Sequence, residues 1–120
     1  MILLAMALAA ATTQLPQLRN HGLFVSEDYP YEAAQKGEQG KVTFALDISS
    51  AGGHATACHR VESSGSFLLD AATCRLTLCR TIFVGATEPA VALACTWTAS
   101  VAWSPTRIAL TEERENVICK

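Results

Sequence analysis

Two segments in which apolar residues occupy every second position constrain the fold of this chain more than any other feature. The first segment runs from Val42 to Ile48, and the second runs from Cys95 to Trp103 and ends before Pro105. Because successive side chains of a β-strand point to opposite faces, this period of two predicts strands with one buried face each. The chain therefore needs a second layer that covers those faces.

A hairpin and two helices account for most of the remaining pattern. The turn residues 50–53 include two glycines and lead into a third extended segment, His54–Glu62, which pairs with the first strand as a hairpin. Pro30 suits the first turn of a short helix over residues 31–36. Ser66 is a suitable N-cap for a longer helix over residues 67–80. The apolar stripe of that helix, which we expect to cover the hairpin, consists of Leu69, Ala72, Leu76 and Cys79.

The N-terminal residues resemble an export signal. An apolar run from Ile2 to Ala11 precedes polar residues and contains small-residue cleavage sites, although no Lys or Arg comes before it. Its ten residues are too few to cross a bilayer, which needs about 20 in a helix. We expect residues 1–11 to be a signal peptide, with a buried N-terminal helix as the alternative, and residues 12–27 to be an extended lead-in.

Five cysteines in an exported chain of 120 residues favour disulfides, and the chain contains no Cys-x-x-Cys motif of the kind that redox and zinc sites use. Cys58 lies on the second strand of the hairpin, and Cys74 lies one helical turn past Asp70 in the helix that covers the hairpin. This placement predicts a Cys58–Cys74 disulfide, with two buried thiols as the alternative. Cys79 and Cys95 form the second candidate pair, which leaves Cys119 unpaired.

Composition and motifs speak against several classes of function. A net charge of −2 without a basic cluster argues against nucleic acid as the partner. The three histidines do not combine with Cys58 into a metal site, because adjacent strand residues such as Cys58 and His59 point to opposite faces. The serines at 63, 64 and 66 lack the spacing of a nucleophile elbow, and they fit a turn and helix cap better. We expect no enzyme activity, no metal, no cofactor and no small-molecule substrate.

The segment from Asp28 to about Trp103 resembles the TonB C-terminal-domain family. The resemblance rests on the Asp28-Tyr29-Pro30 motif, the run Gly37–Phe44, the turn glycine Gly52, and the runs Cys58–Ser66 and Leu69–Cys74, with Phe83 beyond them. It implies an α+β, two-layer fold in which a three-stranded antiparallel sheet carries two helices on one face, in the order α-β-β-α-β. The domain would then occupy residues 28–104, and residues 105–120 would be a tail with a solvated turn or short helix.

The resemblance also implies a location and a mode of binding. Members of the family act in the periplasm, where an extended partner segment can add to the edge of the sheet. The expected edge is the last strand. Its tryptophans, Trp97 and Trp103, are expected to be core anchors at the same time, since core-facing rings leave the backbone edge free. The predicted partner-binding residues are Ala94, Cys95, Thr96, Trp97, Thr98, Ala99, Ser100, Val101, Ala102 and Trp103.

These observations give two functional hypotheses. The first is a periplasmic protein-binding module that adds a segment of an outer-membrane transporter or another envelope protein to its sheet, in the manner of energy transducers. The second is a stand-alone structural or regulatory envelope protein that keeps the fold without energy transduction and dimerises through its own last strand. The chain has no helix long enough for an anchor and no Pro-rich linker, which favours a stand-alone protein in either case.

Overall fold

The structure is a computed structural model that describes residues 15–85 and 93–120. Within these ranges the elements are β1 (Gln17–Leu18), a 3-10 turn (Ser26–Asp28), α1 (Tyr31–Gln35), β2 (Gly40–Ser49), β3 (Gly52–Gly53), β4 (Ala57–Glu62), α2 (Phe67–Arg80), β5 (Phe83–Val84), β6 (Ala94–Ser104) and β7 (Arg107–Cys119). The expected signal peptide, residues 1–11, lies outside the described residues. Among the helices that are described, none is long and apolar enough to span a membrane.

The main sheet has four antiparallel strands in the order β4-β2-β6-β7. β2 pairs with β6 over ten positions, from Gly40 opposite Trp103 to Ser49 opposite Ala94. The class α+β with two helices is confirmed, but the prediction of a single three-stranded sheet is wrong. The charged run in the tail suggested a solvated turn or short helix, whereas the structure places it in β7. A strand at the edge of a sheet has one open side and therefore tolerates such charges.

A second, smaller sheet joins the hairpin turn to the lead-in and to the segment after α2. Its three two-residue strands have the order β1-β5-β3. Gly52 of β3 has φ of 87°, and a Cβ atom there would lie 2.4 Å from the backbone nitrogen of Gly85. Only a glycine therefore allows the hairpin turn to approach β5 this closely.

The core lies between the main sheet and the helices. Val42, Phe44 and Leu46 of β2 are fully buried, as are Trp97 and Val101 of β6. The predicted stripe of α2 packs on this face through Leu69, Ala72 and Leu76, whereas Cys79 is exposed. Ala33 of α1 joins the same core. The side chain of Ser66 caps α2 by accepting the backbone N–H of Leu69 at 3.2 Å, as predicted.

Candidate functional site

The strand predicted to be the open edge is an interior strand. β6 pairs with β2 on one side and with β7 on the other, so its backbone groups are occupied on both sides. The prediction that Ala94–Trp103 is a free edge is therefore wrong. In the main sheet of the described residues, the open edges belong to β4 and β7.

β7 consists of two stretches that differ in length. The first stretch, Arg107–Glu112, pairs with Ser104–Ala99 of β6 at six consecutive positions. The second stretch, Val117–Cys119, pairs with Trp97–Cys95 at three positions. Residues 113–116 separate the two stretches, and Glu115 there has φ of 50°, which is unusual for a residue other than glycine. The first stretch is the longer regular edge that β7 offers to a partner.

An open pocket of about 420 Å³ adjoins the start of this first stretch. Phe24, Tyr29 and Ile108 supply large apolar surface, and Ala34 of α1 lies at another wall. The remaining lining residues are Val25, Ser26, Gly37, Glu38, Ser104, Pro105, Thr106 and Arg107. A pocket beside a free strand edge is the arrangement in which an added strand gains main-chain hydrogen bonds and a place for one side chain.

Two residues that line the pocket, Phe24 and Tyr29, belong to an aromatic cluster around Trp103. The ring of Trp103 makes edge-to-face contacts with Phe24 at 5.6 Å and with Tyr29 at 5.4 Å between ring centroids. The hydroxyl of Tyr29 donates a hydrogen bond to the backbone carbonyl of Glu38. Burial raises the pKa of Tyr29, and the nearby Glu38 carboxylate adds to the effect. Tyr29 therefore stays neutral and serves to position the wall of the pocket.

An ion pair fixes the turn that carries Tyr29. Arg80, at the end of α2, donates to both carboxylate oxygens of Asp28 at 2.7 and 2.9 Å and to the carbonyl of Leu23 at 2.7 Å. The hydrogen bond from Arg80 lowers the pKa of Asp28, against the opposing effect of burial. The Asp28-Tyr29-Pro30 motif thus joins the lead-in to α2 and shapes the pocket.

The two tryptophans of β6 are core anchors. The indole N–H of Trp103 donates to the hydroxyl of Thr73 at 2.7 Å, and that of Trp97 donates to the carboxylate of Glu112 at 2.8 Å. Both rings are buried on the helix-facing side of the sheet. They therefore support the fold and leave binding to other residues.

The structure contains two disulfides. Cys58 of β4 is joined to Cys74 of α2, the pair named from the sequence. Cys95 of β6 is joined to Cys119 of β7, so the pairing of Cys79 with Cys95 is wrong. That pairing failed because Cys119 was assigned to a tail, whereas β7 places it directly opposite Cys95. Cys79 is the free thiol among the five cysteines, all of which lie in the described residues.

The serine-rich turn before α2 is built around one carboxylate. Asp70 accepts hydrogen bonds from the hydroxyl of Ser63 and from both the amide and the hydroxyl of Ser64. Burial alone would raise the pKa of Asp70, but these hydrogen bonds outweigh it and leave the pKa below its usual range. The hydroxyl of Ser66 donates to Glu38. These hydrogen bonds hold the turn in place before α2.

The histidines lie apart from the pocket. His59 contacts the carboxylate of Asp47 at 2.8 Å on the sheet face opposite the helices. No group of three or more potential metal ligands occurs within residues 15–85 and 93–120.

The sequence contained a signal for β7 that the prediction did not use. Ile108 and Leu110 alternate with small and polar residues directly after the turn at Pro105–Thr106, as the second strand of a hairpin would. The pocket had no comparable signal, because Phe24, Tyr29 and Ile108 meet only in the folded chain.

Part of this chain matches a model of a known protein family. Residues 25–78 match the family model described as Gram-negative bacterial TonB protein C-terminal. The match begins just before the 3-10 turn, includes the Asp28-Tyr29-Pro30 motif, and ends within α2, before β6 and β7. Searches among curated proteins and among solved structures each found no match. The match, which covers a little less than half of the chain, supports the resemblance to the TonB C-terminal-domain family.

Proposed function

We propose that this chain is a periplasmic protein-binding module that adds an extended segment of an outer-membrane transporter, or of another envelope protein, to the free edge of β7 at Arg107–Glu112. The observation that carries the proposal is the continuity of this edge with the pocket at Phe24, Tyr29 and Ile108. The family match over residues 25–78 supports a protein as the partner, since the TonB C-terminal family is one of protein-interaction domains and not of enzymes.

The location of the edge differs from the one expected from the resemblance. A partner strand on β6 would have to displace β7, whereas the outer side of β7 has no pairing strand among the described residues. The partner strand would lie about 4.8 Å from β7. Its side chains would alternate between the two sheet faces, and one on the helix side near Ile108 would reach the pocket.

Peptide titration followed by NMR tests this proposal. Short extended peptides from outer-membrane transporters are added to the isotope-labelled, disulfide-bonded chain. We expect saturable shifts at Arg107–Glu112 and at the pocket residues, and loss of binding when alternate peptide amides are N-methylated. Shifts confined to Ala57–Glu62 would assign binding to the β4 edge instead, and the absence of shifts across a broad peptide set would refute the proposed function.

A matched pair of variants tests the pocket. Ala34 is exposed on α1 and lines the pocket, so Ala34→Leu places extra apolar volume inside it. Ala71→Leu makes the same change at an exposed position of α2 that does not line the pocket. We expect Ala34→Leu to weaken binding of peptides with a large apolar side chain about tenfold and Ala71→Leu to leave it unchanged. Equal affinities would show that the partner does not use the pocket.

The alternative, a stand-alone structural or regulatory envelope protein, is favoured by one observation. β7 covers the strand that the resemblance assigns to partner binding, and the Cys95–Cys119 disulfide holds it there. The peptide titration separates the two functions, because an envelope protein of this second kind gives no shifts with transporter peptides.

A further inference from the structure

We propose that the Cys95–Cys119 disulfide is a redox latch that holds the C-terminal segment, Val117–Lys120, over the edge of β6. Cleavage of this disulfide would release the segment and leave the backbone groups of Cys95–Trp97 without their partners in β7. The inference does not depend on binding at the first stretch of β7, because the two stretches are separate.

The pairing of the C-terminal segment is short and isolated. It has three paired positions with β6, whereas the first stretch of β7 has six and is tethered by the turn at Pro105–Thr106. Residues 113–116 interrupt the ladder between the two stretches. One additional backbone hydrogen bond joins the amide of Lys120 to the carbonyl of Ala94 at 2.9 Å. The ladder alone therefore gives this segment little cooperative support from the rest of the strand.

Side-chain packing adds little to these backbone contacts. Val117 and Cys119 are partly buried against the core, but Ile118 is 61% exposed and Lys120 is exposed. The first stretch, by contrast, contributes Ile108 and Leu110 to the core, and Glu112 accepts the indole N–H of Trp97. Within the C-terminal segment, the covalent bond at Cys119 is the strongest connection to the sheet.

The other disulfide has a different consequence when it is broken. β4, which carries Cys58, pairs with β2 at five positions, and α2, which carries Cys74, is anchored in the core through Leu69 and Leu76. Both elements keep these contacts without the Cys58–Cys74 bond. A change in redox state therefore frees a backbone edge at one disulfide and not at the other.

A dithiol reductant would open the latch by attack at Cys119. Cys95 is buried, although it borders an open depression together with Thr96, Ile118 and Lys120, whereas Cys119 is partly exposed. One thiolate of the dithiol attacks the sulfur of Cys119, and Cys95 leaves as a thiolate that takes up a proton. The second thiol of the reductant then attacks the mixed disulfide and releases Cys119 as a thiol. The reductant is thereby oxidised to its own disulfide, and the two cysteines are reduced.

Hydrogen exchange of the full chain tests the latch. The double variant Cys95→Ser/Cys119→Ser represents the open latch, and Cys58→Ser/Cys74→Ser is the matched control. We expect the first variant to exchange amides at Cys95–Trp97 and Val117–Lys120 at least tenfold faster than the parent, with Arg107–Glu112 unchanged. We expect the control to keep the parent rates in both regions.

Three results would overturn the proposal. Unchanged exchange at Val117–Lys120 would show that the segment holds without the disulfide, and faster exchange along all of β7 would show that the disulfide supports the whole hairpin. Loss of the folded state in the first variant, judged by far-UV circular dichroism, would likewise show that the disulfide supports more than the C-terminal segment.

Discussion

The hydrogen bond between Trp103 and Thr73 gives the sharpest test of how this core is held together. The Thr73 hydroxyl donates to the carbonyl of Leu69 at 2.8 Å and accepts the indole N–H of Trp103 at 2.7 Å. Thr73→Val keeps the shape of the side chain and removes both bonds. The indole N–H is then left without a partner in a site that water does not reach, which costs about 1–3 kcal/mol.

Thr77 supplies a matched control one turn further along α2. It is fully buried, as Thr73 is, and its hydroxyl donates to the carbonyl of Thr73 at 2.7 Å. Thr77→Val therefore removes the same kind of helix hydrogen bond but leaves no indole unpaired. The difference between the two variants isolates the bond to Trp103, and we expect Thr73→Val to be less stable by about 2 kcal/mol. This corresponds to a change of about 30-fold in the ratio of folded to unfolded chains.

Urea denaturation followed by far-UV circular dichroism, with both disulfides intact, measures this difference without relying on tryptophan fluorescence. The indole N–H resonance of Trp103 should also exchange faster in Thr73→Val, with that of Trp97 as an internal reference. Free energies of unfolding for the two variants that agree within about 0.5 kcal/mol would contradict the assigned role of Thr73, since a stranded buried donor costs more than that.

Three further perturbations test other parts of the fold. Gly52→Ala is expected to lower the thermal midpoint more than Gly53→Ala, because both have positive φ but only at Gly52 would the new Cβ meet backbone atoms within 3 Å; equal midpoints would count against this close approach. Glu112→Ala is expected to lower the free energy of unfolding, measured in urea, by about 1–3 kcal/mol, because the buried indole of Trp97 loses its acceptor. Glu112→Gln keeps an acceptor oxygen and is expected to recover most of the loss. A Gln variant as unstable as the Ala variant would show that the charge of Glu112 stabilises the chain, and not the hydrogen bond. The pKa of Asp28 is lowered in the folded chain, so the stability from its ion pair with Arg80 is fully present above about pH 4 and is lost as the pH falls through that lowered pKa. When the free energy of unfolding is measured against acid pH, Asp28→Asn should show a shallower decline than the parent. Identical slopes for the two chains would rule this contribution out.

The sequence predicted those elements whose residues carry their own periodicity. The alternation from Val42 to Ile48 and from Cys95 to Trp103 corresponds to β2 and β6, and the stripe with its Ser66 cap corresponds to α2. In each case the local pattern and the burial in the folded chain agree, so the local signal was sufficient.

The elements that the sequence did not predict depend on contacts between distant residues. The two-residue strands β1, β3 and β5 are too short to have a period, and they form because the hairpin turn, the lead-in and the segment after α2 meet. β7 carries charges at Glu112–Glu115 that its open side permits but that a propensity argument assigns to a solvated turn. The Cys95–Cys119 pair follows from the register of β7, so both errors have one cause. The pocket was likewise out of reach, since its walls come from the lead-in, α1 and the β6–β7 turn.

The interruption of β7 at residues 113–116 sets a limit on what can associate with this molecule. The regular edge is six residues long, which corresponds to about 20 Å of extended chain. A segment that adds to this edge in the proposed way would therefore be short, and the flanking residues of a longer ligand would have to leave the plane of the sheet at the kink. The charged side chains at the same kink, Glu113–Glu115, also disfavour edge-to-edge pairing of a second copy of the chain across it.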